Sequence, residues 1–180
     1  MLRILWVSFV SLLFFSSCQT LSPYTKELRQ DIALTDSELE RIQFYLSKDI
    51  IMRREFSGSQ SRIEGGEIKV VDGRKVEEVI IARRTPGVLL FSPEKDTYAI
   101  GFEEGFNNRY LMFGPNPRSG GQFVLLASDW ERNVGRVTYD NRAYWVEVDR
   151  YGSVPGLLVN LKKINQRSVK SRRAGGRKID

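Results

Sequence analysis

From Asp49 onward the chain reads in steps of two. Ile50, Met52 and Phe56 alternate with Ile51, Arg53 and Glu55, the pattern of a strand whose successive side chains point to opposite faces. Glu67–Val71 and Lys75–Arg83 are joined at Asp72-Gly73, a strong two-residue hairpin signal. Val88–Phe91 follows Pro86-Gly87. Thr97–Phe102 and Arg109–Phe113 are separated by Glu103-Glu104-Gly105 and Asn107-Asn108. Gln122–Ala127 follows a loop of Gly, Pro, Asn and Ser. Gly135–Tyr139 and Ala143–Asp149 flank Asp140-Asn141-Arg142, and Leu157–Ile164 closes the set. About nine or ten short strands with turn signals roughly every 8–12 residues predict a mainly β fold, a small antiparallel sandwich or barrel.

Ahead of the strands the period differs. Thr35-Asp36-Ser37-Glu38 has capping-box spacing, and Leu39, Ile42, Tyr45 and Leu46 then form an apolar stripe. This predicts an N-terminal amphipathic helix over Thr35–Lys48, packed on the domain or docking a partner. Tyr24–Ile32 is a weaker helical stretch. At the other end, Asn165–Asp180 has only Val169 and Ile179 as aliphatic residues larger than alanine. It buries too little apolar surface to offset ordering entropy and is expected to be disordered.

The first residues follow a third pattern. Arg3 precedes a nearly unbroken apolar run, Ile4 to Phe15, and Ser16 and Ser17 then lead to Cys18, the one cysteine of the chain. A charged start, an apolar stretch and small residues before a cut make a secretory signal, and the run is short for a membrane-spanning helix. Phe15-Ser16-Ser17-Cys18 resembles the lipobox of bacterial lipoproteins, with Phe15 where that family most often has Leu. The resemblance implies cleavage before Cys18 and acylation of its thiol. Two or three acyl chains would anchor the protein stably. Gln19 stands where an inner-membrane retention signal would have Asp, which points to the outer membrane, and no acidic cluster of the kind that marks surface export follows Cys18, which leaves the periplasmic face as the expectation. The expected organisation is a signal peptide at 1–17, a tether at 18–25, one helix-plus-β domain at 26–164 and a basic tail at 165–180.

Composition removes several chemistries. The chain has no histidine, so Ser-His-Asp and Cys-His catalysis are excluded and the commonest metal ligand is missing. With Cys18 consumed, no disulfide or thiolate site remains, and no metal or cofactor is expected. The net charge of +6 comes from 28 basic and 22 acidic residues. Eight of the basic and one of the acidic residues lie in 162–180. The body is therefore near neutral, and the tail, with Lys170, Arg172, Arg173, Arg177 and Lys178, is strongly cationic. It has no aromatic residue for base stacking. The expected anions are those of the envelope (peptidoglycan carboxylates, lipid headgroups, acidic protein patches) rather than nucleic acid.

Three further candidates remain. Glu103, Glu104 and Asp129 could supply the carboxylate pair of a cell-wall glycan hydrolase. Tyr144 and Trp145 are adjacent in a strand and so face opposite ways, which makes one of them a candidate aromatic contact. Ser119-Gly120-Gly121-Gln122-Phe123 is similar to the Ser-Gly-x-x-Tyr loop of membrane-bound lysozyme inhibitors, although those proteins usually carry a disulfide. The leading expectation is a non-enzymatic lipoprotein that binds or assembles an envelope protein complex or peptidoglycan. The alternatives are a carboxylate-dependent glycan hydrolase and an inhibitor of a lytic enzyme. The sequence leaves the oligomeric state open.

Overall fold

The computed structural model describes residues 20–55, 67–71, 74–148 and 153–168. In chain order the elements are β1 (Ser22–Pro23), α1 (Lys26–Ile32), α2 (Asp36–Leu39), β2 (Phe44–Leu46), β3 (Ile50–Glu55), β4 (Glu67–Val71), β5 (Arg74–Ile81), β6 (Pro86–Glu94), β7 (Thr97–Gly101), β8 (Tyr110–Asn116), β9 (Gln122–Leu125), β10 (Ser128–Glu131), β11 (Val134–Tyr139), β12 (Arg142–Glu147), β13 (Leu157–Val159) and α3 (Leu161–Ser168). They build two antiparallel sheets, ordered β1-β13-β2-β6-β7-β8-β9 and β10-β11-β12-β3-β5-β4. The mainly β fold expected from the alternating pattern, a sandwich or a barrel, is observed as two antiparallel sheets in a sandwich-like arrangement.

The seven-stranded sheet rolls until its ends meet. Bridges join Thr25 to Gln122 and Val124 to Gly156, and the Phe123 amide donates to the Tyr24 carbonyl at 2.9 Å. Closure brings the strands so near that a Cβ on Gly156 would lie 2.7 Å from the Gln122 side-chain nitrogen and 3.1 Å from the Phe123 carbonyl oxygen, so a larger residue there would have to displace the Gln122 side chain. Inside the roll, four rings pack together. Tyr24 lies 5.2 Å from Phe44 and 4.9 Å from Phe123, and Tyr98 stacks on Phe123 at 4.8 Å. Buried residues of the second sheet, among them Ile50, Met52, Val137 and Val146, belong to the same continuous core. Aromatic contacts of this kind add to area burial.

α1 seals one mouth of the roll. Thr25 caps it, its hydroxyl accepting from the Leu28 amide at 3.1 Å. Arg29 donates to the Tyr98 hydroxyl, which in turn contacts the Tyr24 hydroxyl at 3.4 Å. The Arg29 guanidinium is also 3.1 Å from Asp96 Oδ1, an ion pair angled off a hydrogen bond. Burial, first of all, raises the ionisation of both phenols above the ordinary tyrosine value.

Several expectations are corrected. The helix expected over Thr35–Lys48 is a single turn, Asp36–Leu39, and Phe44–Leu46 is a strand between β13 and β6. Half of the capping box forms: the Glu38 carboxylate accepts the Thr35 amide at 3.0 Å. But the helical stripe leaves out Phe44, which is fully buried. Burying Phe44 and Leu46 on one face, with both ladders satisfied, outweighs the local helical preference. The expected strand Leu157–Ile164 ends at Val159, because the Asn160 side chain accepts the Lys163 amide at 3.2 Å and starts α3. That helix runs to Ser168 and buries Ile164, so residues 165–168 are not part of a disordered tail; 169–180 lie outside the described residues. The tether expected over 18–25 is cut short, since Ser22 and Pro23 pair with Val159 and Leu158 and Tyr24 is in the core. The signal peptide, Cys18, Phe56 and the Asp72-Gly73 turn also lie outside the described residues.

Phe44 tests the correction. Phe44→Ala should cost about 3–5 kcal/mol, read as a lowered urea midpoint with an unchanged slope. A cost under about 1 kcal/mol would mean that Phe44 faces solvent, as the helix requires.

Candidate functional site

One group of buried and half-buried polar side chains meets in a seam between the sheets. Glu77 on β5 is 1% exposed and faces inward. Arg54 on β3, its cross-strand partner, donates to Oε2, while the Tyr144 hydroxyl donates to Oε1 at 3.2 Å. Arg142 Nη1 stands 3.8 Å from the same oxygen. A buried carboxylate persists when charges and donors surround it in this way.

The seam continues into the rolled sheet. The Tyr139 ring meets Tyr144 edge-on at 6.4 Å, and its hydroxyl donates to Glu103 Oε1. Arg109, ahead of β8, donates to Glu103 Oε2 at 2.6 Å and lies 3.7 Å from Asp140 Oδ2. Its guanidinium also covers the Phe106 ring at 3.9 Å. Asp140 and Asn141 both adopt positive φ, the two-residue hairpin turn that right-twisted strands favour. This turn holds Asp140 over Asn108, whose side-chain amide donates to its carboxylate. Three carboxylates, three arginines and two phenols thus stitch the β7–β8 connection to β11, β12, β3 and β5.

The electrostatics hold the seam's phenols in their protonated form. Burial, and then the Glu103 carboxylate, push the Tyr139 phenol well above its ordinary ionisation; burial and the Glu77 charge do the same to Tyr144. Both remain protonated donors. The hydrogen bond to Glu103 raises Arg109 further. The space that Glu77, Glu103, Arg109, Tyr139, Asp140 and Tyr144 enclose is about 10 Å³, at most one water.

The three carboxylate candidates separate. Glu103 is engaged in the seam, and Glu104 is exposed in the adjoining turn. The two share the lining of a shallow groove of about 380 Å³ beside Phe102 and Phe106, with no third carboxylate there. Asp129 is exposed on β10 of the other sheet, at positive φ. No group of three potential metal ligands gathers among the described residues. Of the adjacent aromatic pair, Tyr144 is buried in the seam and Trp145 is 43% exposed on the outer face of the six-stranded sheet. The Ser119–Gln122 loop is a short 3-10 turn followed by Gly120 and Gly121 at positive φ. Its Ser119 and Gly120 are exposed, while the Gln122 amide donates to the Leu157 carbonyl at 3.2 Å and serves closure of the roll. Cys18, Lys170, Arg172, Arg173, Arg177 and Lys178 lie outside the described residues.

Glu77, Arg54 and Arg109 escaped the sequence reading. A signal existed for one of them: Glu77-Glu78 interrupts the apolar run Val76–Ile81, and a carboxylate at an inward position needs a partner.

Tyr24, Tyr98, Tyr139 and Tyr144 all have raised ionisation in the fold. Their contribution to stability is complete below about pH 10, the value for the unfolded chain, and is lost as pH rises beyond it. In an absorbance titration at alkaline pH these phenols should ionise together with loss of the β signal, and Tyr139→Phe should soften the alkaline loss. Independent ionisation of all seven tyrosines near pH 10 in folded protein would refute the buried seam.

Compared with known protein families, curated proteins and solved structures, the chain matches none of them.

Proposed function

We propose that this chain is a lipid-anchored lipoprotein of the outer membrane, facing the periplasm, that acts as a non-enzymatic docking module for an envelope protein complex. The observation that carries the docking role is Trp145. It stands out from β12, flanked in register by Arg136 on β11 and Arg53 on β3. Val134 and the 52% exposed Ile80 lie on the same outer face. Arg53 is held by Glu78 at 2.7 Å, whereas Arg136 has no ion pair among the described residues. An exposed tryptophan with arginine beside it and aliphatic residues around it matches the anatomy of a protein-binding hot spot.

The address rests on the lipobox resemblance. Its mechanical side is favourable: four residues after Cys18 the backbone enters β1, so the domain would sit close to the bilayer with its orientation restricted. A lipid anchor confines such a module to a thin layer and raises its effective concentration for membrane partners. The hydrolase alternative draws less support, because Glu103 is neutralised by Arg109 and Glu104 is a turn residue.

Cross-linking in the native cell followed by purification of tagged protein should recover a stoichiometric protein partner. Trp145→Ala, whose side chain leaves the core untouched, should reduce recovery about tenfold or more. Recovery of muropeptides instead of protein would make the cell wall the ligand, and equal recovery with Trp145→Ala would remove this face from the account. Cys18→Ser should release the protein from the membrane fraction, and mass spectrometry of the parent should find acyl chains on Cys18.

A further inference from the structure

The rolled sheet decides which part of the domain lies beside the anchor. Ser22 pairs with Val159, so the next residue outward, Leu21, stands beside Asn160 and Leu161, where α3 begins. Four residue steps separate Cys18 from Ser22, at most about 14 Å of extended chain. The first turn of α3 therefore cannot move far from whatever holds Cys18. That turn carries Lys162 and Lys163, both exposed and neither in an ion pair among the described residues, while Ile164 and Leu161 turn toward the domain. Beyond them the sequence continues with Arg167, Lys170, Arg172, Arg173, Arg177 and Lys178. Eight basic residues and one acidic residue thus start from the point where the chain leaves for the membrane.

We propose that the first turn of α3, through Lys162 and Lys163, forms a second, electrostatic membrane contact that binds anionic phospholipid headgroups. The proposal rests on the anchoring of Cys18 for its geometry. The chemistry is that of a polybasic segment beside a lipid anchor: one signal fixes proximity, and the cations add attraction to a negatively charged surface. That attraction acts over about 8–10 Å at ordinary ionic strength, a range comparable to the reach of the short link. A phosphate surface suits lysine, whose compact charge needs no planar bidentate acceptor. Its position at the tether favours the membrane over the cell wall, which lies further from the anchor.

The probe is vesicle co-sedimentation with the chain 19–180, which contains every described element and lacks the acylated residue. Vesicles of phosphatidylethanolamine with about one third phosphatidylglycerol are compared with pure phosphatidylcholine. The protein should bind the anionic vesicles only, with partitioning falling about tenfold between 50 and 300 mM NaCl. Lys162→Glu with Lys163→Glu should lower binding about tenfold while circular dichroism and the thermal midpoint stay unchanged. Equal binding to phosphatidylcholine, no binding to either, or tighter binding to purified sacculi than to anionic vesicles would overturn the proposal. So would a double variant that binds like the parent when only removal of 169–180 abolishes binding, since the helix would then have no part. Acylation of Cys18 is read separately by mass spectrometry, so its failure would not be confused with failure of the lysine contact.

Discussion

Tyr24 is where the two edges of the seven-stranded sheet are joined. Its amide donates to the Leu157 carbonyl and its carbonyl accepts the Phe123 amide, each at 2.9 Å. One residue therefore bonds to both sides of the join, next to the Thr25–Gln122 and Val124–Gly156 bridges, while its ring fills the interior between Phe44, Tyr98 and Phe123. An unclosed roll would leave rows of unpaired amides and carbonyls at β9 and β13. The rest follows from this closure: α1 caps the mouth through Arg29 and Tyr98, β2 is drawn between β13 and β6, and α3 begins where the roll ends.

The alternating stretches were legible because alternation reflects one-sided burial. Ile50 and Met52, Tyr144 and Val146, and Val137 and Tyr139 are all inward residues of strands whose neighbours point out. Three strands were not legible. β1 has two residues and a proline, β2 has three, and β10 is exposed along its length; none is long enough to show a period. Their pairing is set by distant partners rather than by local propensity. The Thr35–Glu38 motif misled for a related reason. A capping box reports how a helix starts and says nothing of where it stops, and the stop was dictated by Phe44 in the core.

The candidate site divides along the same line. Trp145 and Tyr144 followed from strand geometry alone. The seam around Glu77 and Glu103 did not, because its members come from five separate stretches and meet only when the sheets are stacked. Charged residues in a chain with a basic tail read as solvated surface, yet Glu77 and Arg109 are among the least exposed charged residues of those described. A network in which Glu77 and Glu103 each have an arginine and a phenol tolerates little sliding of one sheet over the other, since a shifted strand would leave a charge unpaired.

Closure of the roll by its first and last strands also constrains the order of events in folding. Among the described residues β1 pairs only with β13, and β9 meets Tyr24 and Gly156, so the hydrogen bonds that complete the roll join the two ends of the domain. Hairpins such as β11–β12 and β6–β7 can form from neighbouring residues, but the final ladder has to await the whole chain and overcome the largest loop-closure entropy in the molecule. A nascent or clipped chain lacking either end would hold preformed hairpins with two free β edges, the species most exposed to pairing with a second copy of itself.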